Sequence, residues 1–314
     1  MSRNLQRAIQ ITVSLACFAL LWRLADGEAA LRQLASAHPV WICAALAMLS
    51  LQTLLSALRW RLTACQLGIR LTRGAAVREY YLSQLVNQLL PGGVLGDAGR
   101  AIRARDEAGL VASGQAVMFE RLAGQLALCA VLAVGVLSTQ LVPGGFDGPA
   151  WLLPATLLLP VGAGLALWWT GRGHEDRQGQ VVRALHGIRR AFGHAVAAPA
   201  VRTAQLAMSL GTALCNIAAF VCCANAAGVT LSVPSALVLV PLILFSMLIP
   251  LTVSGWGLRE GAAATLLPLA GASSAGALAA SVAFGLTLLV AALPGLIVLA
   301  LAAAPDPRSG PAQP

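Results

Sequence analysis

The chain has 314 residues, of which 58% are hydrophobic and 11% charged, with a mean hydropathy of +0.78. A soluble domain carries about a quarter charged residues, so this composition excludes one, and apolar runs of about 20 residues mark the bilayer as its solvent. The formal charge of +9 comes from arginines spread over the loops between those runs, a pattern that orients a membrane protein and speaks against nucleic acid as a partner.

All 21 basic residues are Arg, which rules out Schiff-base and lysine-nucleophile chemistry. The seven cysteines lie mostly inside apolar runs without metal spacing, and adjacent Cys222 and Cys223 read as small core residues. The four histidines are scattered, with no i, i+4 partner of another ligand type. No metal or other cofactor is expected.

The first expected span covers residues 7–24, after Arg3 and Arg7, and reads as a retained helix because no small-residue cleavage site follows promptly. A second runs from Pro39 to about Leu58 and ends in a cluster of Arg59, Arg61, Arg70, Arg73 and Arg78, which marks the cytoplasmic side. The next segment, VREYYLSQLVNQLLPGGVLGDAGR, is followed by Arg103 and Arg105. A complete crossing by 80–100 would put that second basic cluster outside. A re-entrant hairpin, broken at Pro91 and the glycines, keeps both clusters on one side.

Residues 115–141 form a span that opens on Glu120 and Arg121, and the loop LVPGGFDGPA that follows has no arginine, as expected outside. Residues 151–170 return inward and end on Trp168 and Trp169 as interface anchors. The 171–202 loop carries six arginines and is expected in the cytoplasm, as is the N-terminus. Within it Val181, Leu185, Ile188 and Phe192 recur at helical spacing among basic residues. That describes either a basic amphipathic helix on anionic lipid or a solvated linker helix. Further apolar stretches at 203–226, 234–250, 261–270 and 277–303 follow, and 304–314 reads as a short disordered tail. The expectation is a single all-α integral membrane domain over 1–303, a bundle of about seven to eight helical passes.

Two interruptions share a spacing. In LLPGGVLGDAGR, Pro91 precedes Gly96 by five positions and Arg100 by nine; in LIPLTVSGWGLREG, Pro250 precedes Gly255 and Arg259 by the same intervals. Each has an acid near its arginine, Asp97 or Glu260, and the two lie 159 positions apart. Broken segments in corresponding places of two halves are the mark of a repeat-built transporter. Amides freed at such breaks, together with an arginine, suit a phosphate. For Arg100 the alternative is snorkelling to the headgroups, and for Glu120–Arg121 an interfacial ion pair. Arg259–Glu260 lies between apolar stretches and requires a partner or a task.

These motifs, with NQLLPGGVLGDAGRAIRAR, AVMFERLAGQLAL and LIPLTVSGWGLREG in that order, resemble the lysylphosphatidylglycerol synthase transmembrane-region family over about 1–303. The resemblance assigns Asn87, Pro91, Gly96, Asp97 and Arg100 to its first motif and Glu120 and Arg121 to its second. Gly255, Gly257, Arg259, Glu260 and Gly261 match its third. It implies translocation of an anionic-headgroup or polyprenyl- or hopanoid-type lipid between leaflets of a bacterial inner membrane, with these residues binding it. Arg100, Arg121 and Arg259 would contact phosphate or balance buried acids, and Asp97, Glu120 and Glu260 would hold them.

The aminoacyltransferase domain of the family's best-known member is not found in this sequence, so lysine transfer is not expected. No phosphate-binding loop for ATP is present. The alternatives are a non-transporting partner of a lipid- or glycan-lipid-synthesis complex and a lipid-modifying enzyme. A second copy of the chain or lipid-biosynthesis enzymes are the protein partners this reading allows.

Overall fold

A computed structural model describes residues 12, 22–23, 26–90, 93–141, 180–248 and 252–303. Among them every regular element is helical. In chain order these are α1 (Gly27–Ala35), α2 (Pro39–Gln66), α3 (Arg73–Leu89), α4 (Leu95–Arg103), α5 (Arg105–Leu141), α6 (Gln180–Val196), α7 (Arg202–Ala226), α8 (Val233–Ser246), α9 (Leu258–Leu266), a 3₁₀ turn (Leu267–Ala270), α10 (Ser274–Ala292) and α11 (Pro294–Ala303). Four stretches, Pro39–Gln66, Arg105–Thr139, Arg202–Ala226 and Ser274–Ala300, are long and apolar enough to cross a bilayer. The expected spans at 7–24 and 151–170, the loop between 141 and 151, and the tail fall essentially outside the described residues.

The bundle is built on α2 and α7, which run antiparallel along each other. Gln205 at the start of α7 donates to Thr63 near the end of α2 at 2.9 Å, and the His38 amide at the start of α2 reaches the Ala226 carbonyl at the end of α7. Each helix then repeats the same punctuation. A glycine in the left-handed region closes α2 (Gly68, φ 87°) and α7 (Gly228, φ 76°). A hydroxyl then caps the next helix: Thr72 accepts from the Ala75 amide and Ser232 from the Ser235 amide. Both pairs are 160 positions apart. Because α2 and α7 are antiparallel, these matching turns lie at opposite ends of the bundle, and the halves form an inverted repeat.

Each turn feeds a helical hairpin. In the first half α3 and α4 pack together as a helical hairpin, the shape that the re-entrant reading of 80–100 requires. Leu90 is extended (ψ 144°), the conformation imposed on a residue before proline, and ends α3. The hairpin closes tightly at Gly96, where an added Cβ would lie 2.0 Å from the Ser83 carbonyl oxygen. In the second half α8 and α9 form the counterpart. The expected span at 234–250 is the short helix α8, whose fourteen residues cover only about 21 Å, less than the roughly 30 Å hydrocarbon layer, and the apolar stretch 261–270 falls in α9 and the 3₁₀ turn.

The matched motif spacing does not carry into matched geometry. Gly96 is the second residue of α4, whereas Gly255 (φ 78°) and Gly257 (φ 89°) lie in the turn before α9. Arg100 sits in the second turn of its helix and Arg259 in the first. The acids do correspond, since Asp97 and Glu260 are each third in their helix.

Candidate functional site

The two breaks meet inside the bundle. Ser254, from the second, hydrogen-bonds the Gln88 carboxamide at the end of α3, 166 positions away. Beside this contact a cavity of about 290 Å³ opens among α2, α3, α4, α5, α7, α8 and α10. Its lining combines charged and amide side chains, Arg59, Asn87, Gln88, Asp97, Glu120 and Arg121, with apolar ones, Leu128, Leu244, Met247 and Phe284.

Five charges form one network behind and among the charged residues of that lining. Glu120 accepts from Arg59 Nη2 at 2.5 Å and from Arg100 Nη2 at 2.9 Å. Asp97 takes Arg100 Nε at 3.0 Å, the Ser83 hydroxyl at 3.0 Å, and an ion pair with Arg121. Arg100 is 1% exposed and held between the rings of Trp60 and Tyr80, with centroids at 4.9 and 4.6 Å. Gly124 leaves the space that Arg59 fills, since a Cβ there would lie 2.9 Å from its Nη2.

Three guanidiniums face two carboxylates, so the network keeps one positive charge. Arg59 Nε and Nη1 have no hydrogen-bond partner among the described residues although the residue is only 3% exposed. Donors left open in a buried site attract an acceptor.

A second ion pair, Arg259 with Glu260, is neutral and closed. Arg259 donates through Nε and Nη2 to Glu260 Oε1 and through Nε to Ser281, and Trp256 and Phe284 flank it at 5.0 and 5.7 Å. Gly285 gives it room. Neither Arg259, Glu260 nor Arg100 lines the cavity. Each half thus buries an arginine between an acid and two aromatic rings, but only the first half's network reaches the open space.

Of the sequence-derived candidates, Asn87, Asp97, Glu120 and Arg121 line the cavity, Gly96, Gly255 and Gly257 shape the breaks, and Pro91 lies outside the described residues. Two of the amides at the breaks are engaged from within: the Gly96 amide donates to Asn87 Oδ1 at 2.8 Å and the Gly257 amide to Glu260 Oε2 at 2.7 Å. The arginine cluster places Arg59 in a loop, yet α2 continues to Gln66 and buries it. The signal that would have found it is the polar series Gln52, Ser56, Arg59 at i, i+4, i+7 inside an apolar run.

No curated protein matches the chain closely enough to serve as a relative. Residues 7–295 match the family described as Lysylphosphatidylglycerol synthase TM region. Its bilayer-length helices and this match together make it a multi-pass membrane protein with a lipid-related role. The chain belongs to the lysylphosphatidylglycerol synthase transmembrane-region family.

Proposed function

We propose that the chain moves a lipid with an anionic headgroup between the leaflets, with the headgroup in the cavity where the two breaks meet. The observation that carries this reading is the uncompensated positive charge of the Arg59–Arg100–Arg121 network beside a cavity that is also lined by Leu128, Leu244, Met247 and Phe284. A phosphate suits the charged lining, and the start of an acyl chain suits the apolar residues. The inverted repeat supports movement rather than static binding, because related halves that can exchange conformations give access from either side. The site offers a receptor for a headgroup, and its carboxylates are engaged by arginines rather than free as acid or base.

The test is reconstitution in liposomes carrying acyl-labelled phosphatidylglycerol, with dithionite quenching to follow leaflet exchange. Arg121→Gln removes the excess charge while Arg59 and Arg100 still hold the acids, and should slow exchange about tenfold, the worth of one charge-assisted hydrogen bond. Arg121→Lys should retain most of the rate, because Arg121 is partly exposed and acts mainly through its charge. Parent-like exchange by Arg121→Gln would overturn the proposal.

A further inference from the structure

We infer that this cavity sorts headgroups by hydrogen-bond sign. It takes a phosphodiester whose headgroup is uncharged and hydroxylated, and disfavours the same lipid once a basic aminoacyl ester is added. The inference rests on the reading of the cavity as a headgroup site and names which headgroups it admits.

The lining is rich in donors. Arg59 lines it from α2 and Arg121 from α5. The Gly96 amide can only donate, which turns the Asn87 oxygen toward it and leaves the Asn87 NH₂ for the cavity. Gln88 has its oxygen on the Ser254 hydroxyl, which leaves its NH₂ likewise. Phosphate oxygens, which only accept, match this set.

The acceptors left over are neutral. Every cavity carboxylate is already committed: Asp97 to Arg100, Arg121 and Ser83, and Glu120 to Arg59, Arg100 and Tyr80. What remains is Asn216 Oδ1, whose amide nitrogen is spent on the Thr212 carbonyl, the Gln125 carboxamide, and the hydroxyls of Ser56, Thr212 and Ser254. Two carboxamide oxygens suit the hydroxyls of a glycerol-like headgroup. They cannot neutralise ammonium groups, which would also sit beside a network that is already positive. The lipid in the family's name carries such ammonium groups; the cavity of this chain is built for its unmodified counterpart.

The experiment measures binding of phosphatidylglycerol and lysylphosphatidylglycerol to the full chain in detergent by native mass spectrometry, with sn-glycerol 1-phosphate as a soluble competitor. Phosphatidylglycerol should bind about tenfold tighter than the lysyl ester. Gln125→Glu, which adds a negative acceptor, should narrow or reverse that ratio, and Asn216→Asp serves the same purpose should the first variant fold poorly. Equal binding of the two lipids, or preference for the lysyl ester, overturns the inference while leaving an anionic-lipid site intact. Failure of phosphatidylglycerol to bind at all overturns the translocation reading with it. Full displacement by glycerol phosphate at concentrations comparable to the lipid would place the ligand in solution and overturn the lipid assignment.

Discussion

At the scale of single residues, the buried arginines divide by whether their charge is balanced. Arg259 and Glu260 are 1% and 0% exposed and answer each other, so their pair fixes the second break. Arg259→Gln strands the Glu260 carboxylate and should cost about 3–5 kcal/mol, while Arg259→Gln with Glu260→Gln should recover most of it. Thermal unfolding in detergent reads both; equal losses in the single and double variants would show that the pair is not coupled. Asp97, Glu120 and Arg121 were legible because a charge inside an apolar run is conspicuous. Arg59 was not, because four further arginines follow it within twenty positions and loop charge hides one buried member.

At the scale of elements, the fold depends on close approaches that only glycine allows. Gly96 sets α4 against α3. Gly135 sets α5 against α8, and Gly295 sets α11 against α3, with added Cβ atoms 2.7 and 2.6 Å from the Leu237 and Tyr81 carbonyl oxygens. Those last two are again 160 positions apart, so the repeat extends to packing that no motif announced. Gly96→Ala should push the hairpin arms apart, lowering stability by about 1–3 kcal/mol and disturbing Asp97 next to it. A parent-like melting temperature would mean that the hairpin tolerates a wider spacing. The basic helix α6 formed where its periodicity placed it, but its apolar face is shared. Phe192 packs edge-on to Phe119 of α5 at 5.3 Å and Ala195 is buried, while Ile188 remains 37% exposed. The helix is therefore fastened to the bundle one residue from Glu120, a tertiary contact that periodicity cannot foretell.

At the scale of the molecule, antiparallel α2 and α7 place the two connecting turns on opposite faces. Arg70 and Thr230, both exposed and 160 positions apart, should therefore label from opposite sides of the membrane when each is changed to Cys in a cysteine-free background. Labelling of both from one side would contradict the inverted repeat. The two Pro-x4-Gly-x3-Arg motifs pointed to the repeat and to the meeting of the breaks, although residues outside the motifs preserve its register better. The motif arginines occupy different helical turns, because spacing along a chain does not fix where a helix begins.

The meeting of the breaks has its own test. Ser254 and Gln88 touch beside the cavity, Gln88 from the last turn of α3 and Ser254 from the turn before α9. If exchange of conformation between the halves carries the headgroup across, this contact must open and close during each cycle. Gln88→Cys with Ser254→Cys, in the same cysteine-free background, should cross-link under mild oxidation and stop leaflet exchange, with recovery on reduction. Thr63→Cys with Gln205→Cys joins the antiparallel helices at a static contact and should leave the rate within about twofold, well under the 1.4 kcal/mol that a tenfold change represents. A cross-linked 88–254 pair that still exchanges lipid at the parent rate would leave the breaks as structural kinks, with transport routed elsewhere.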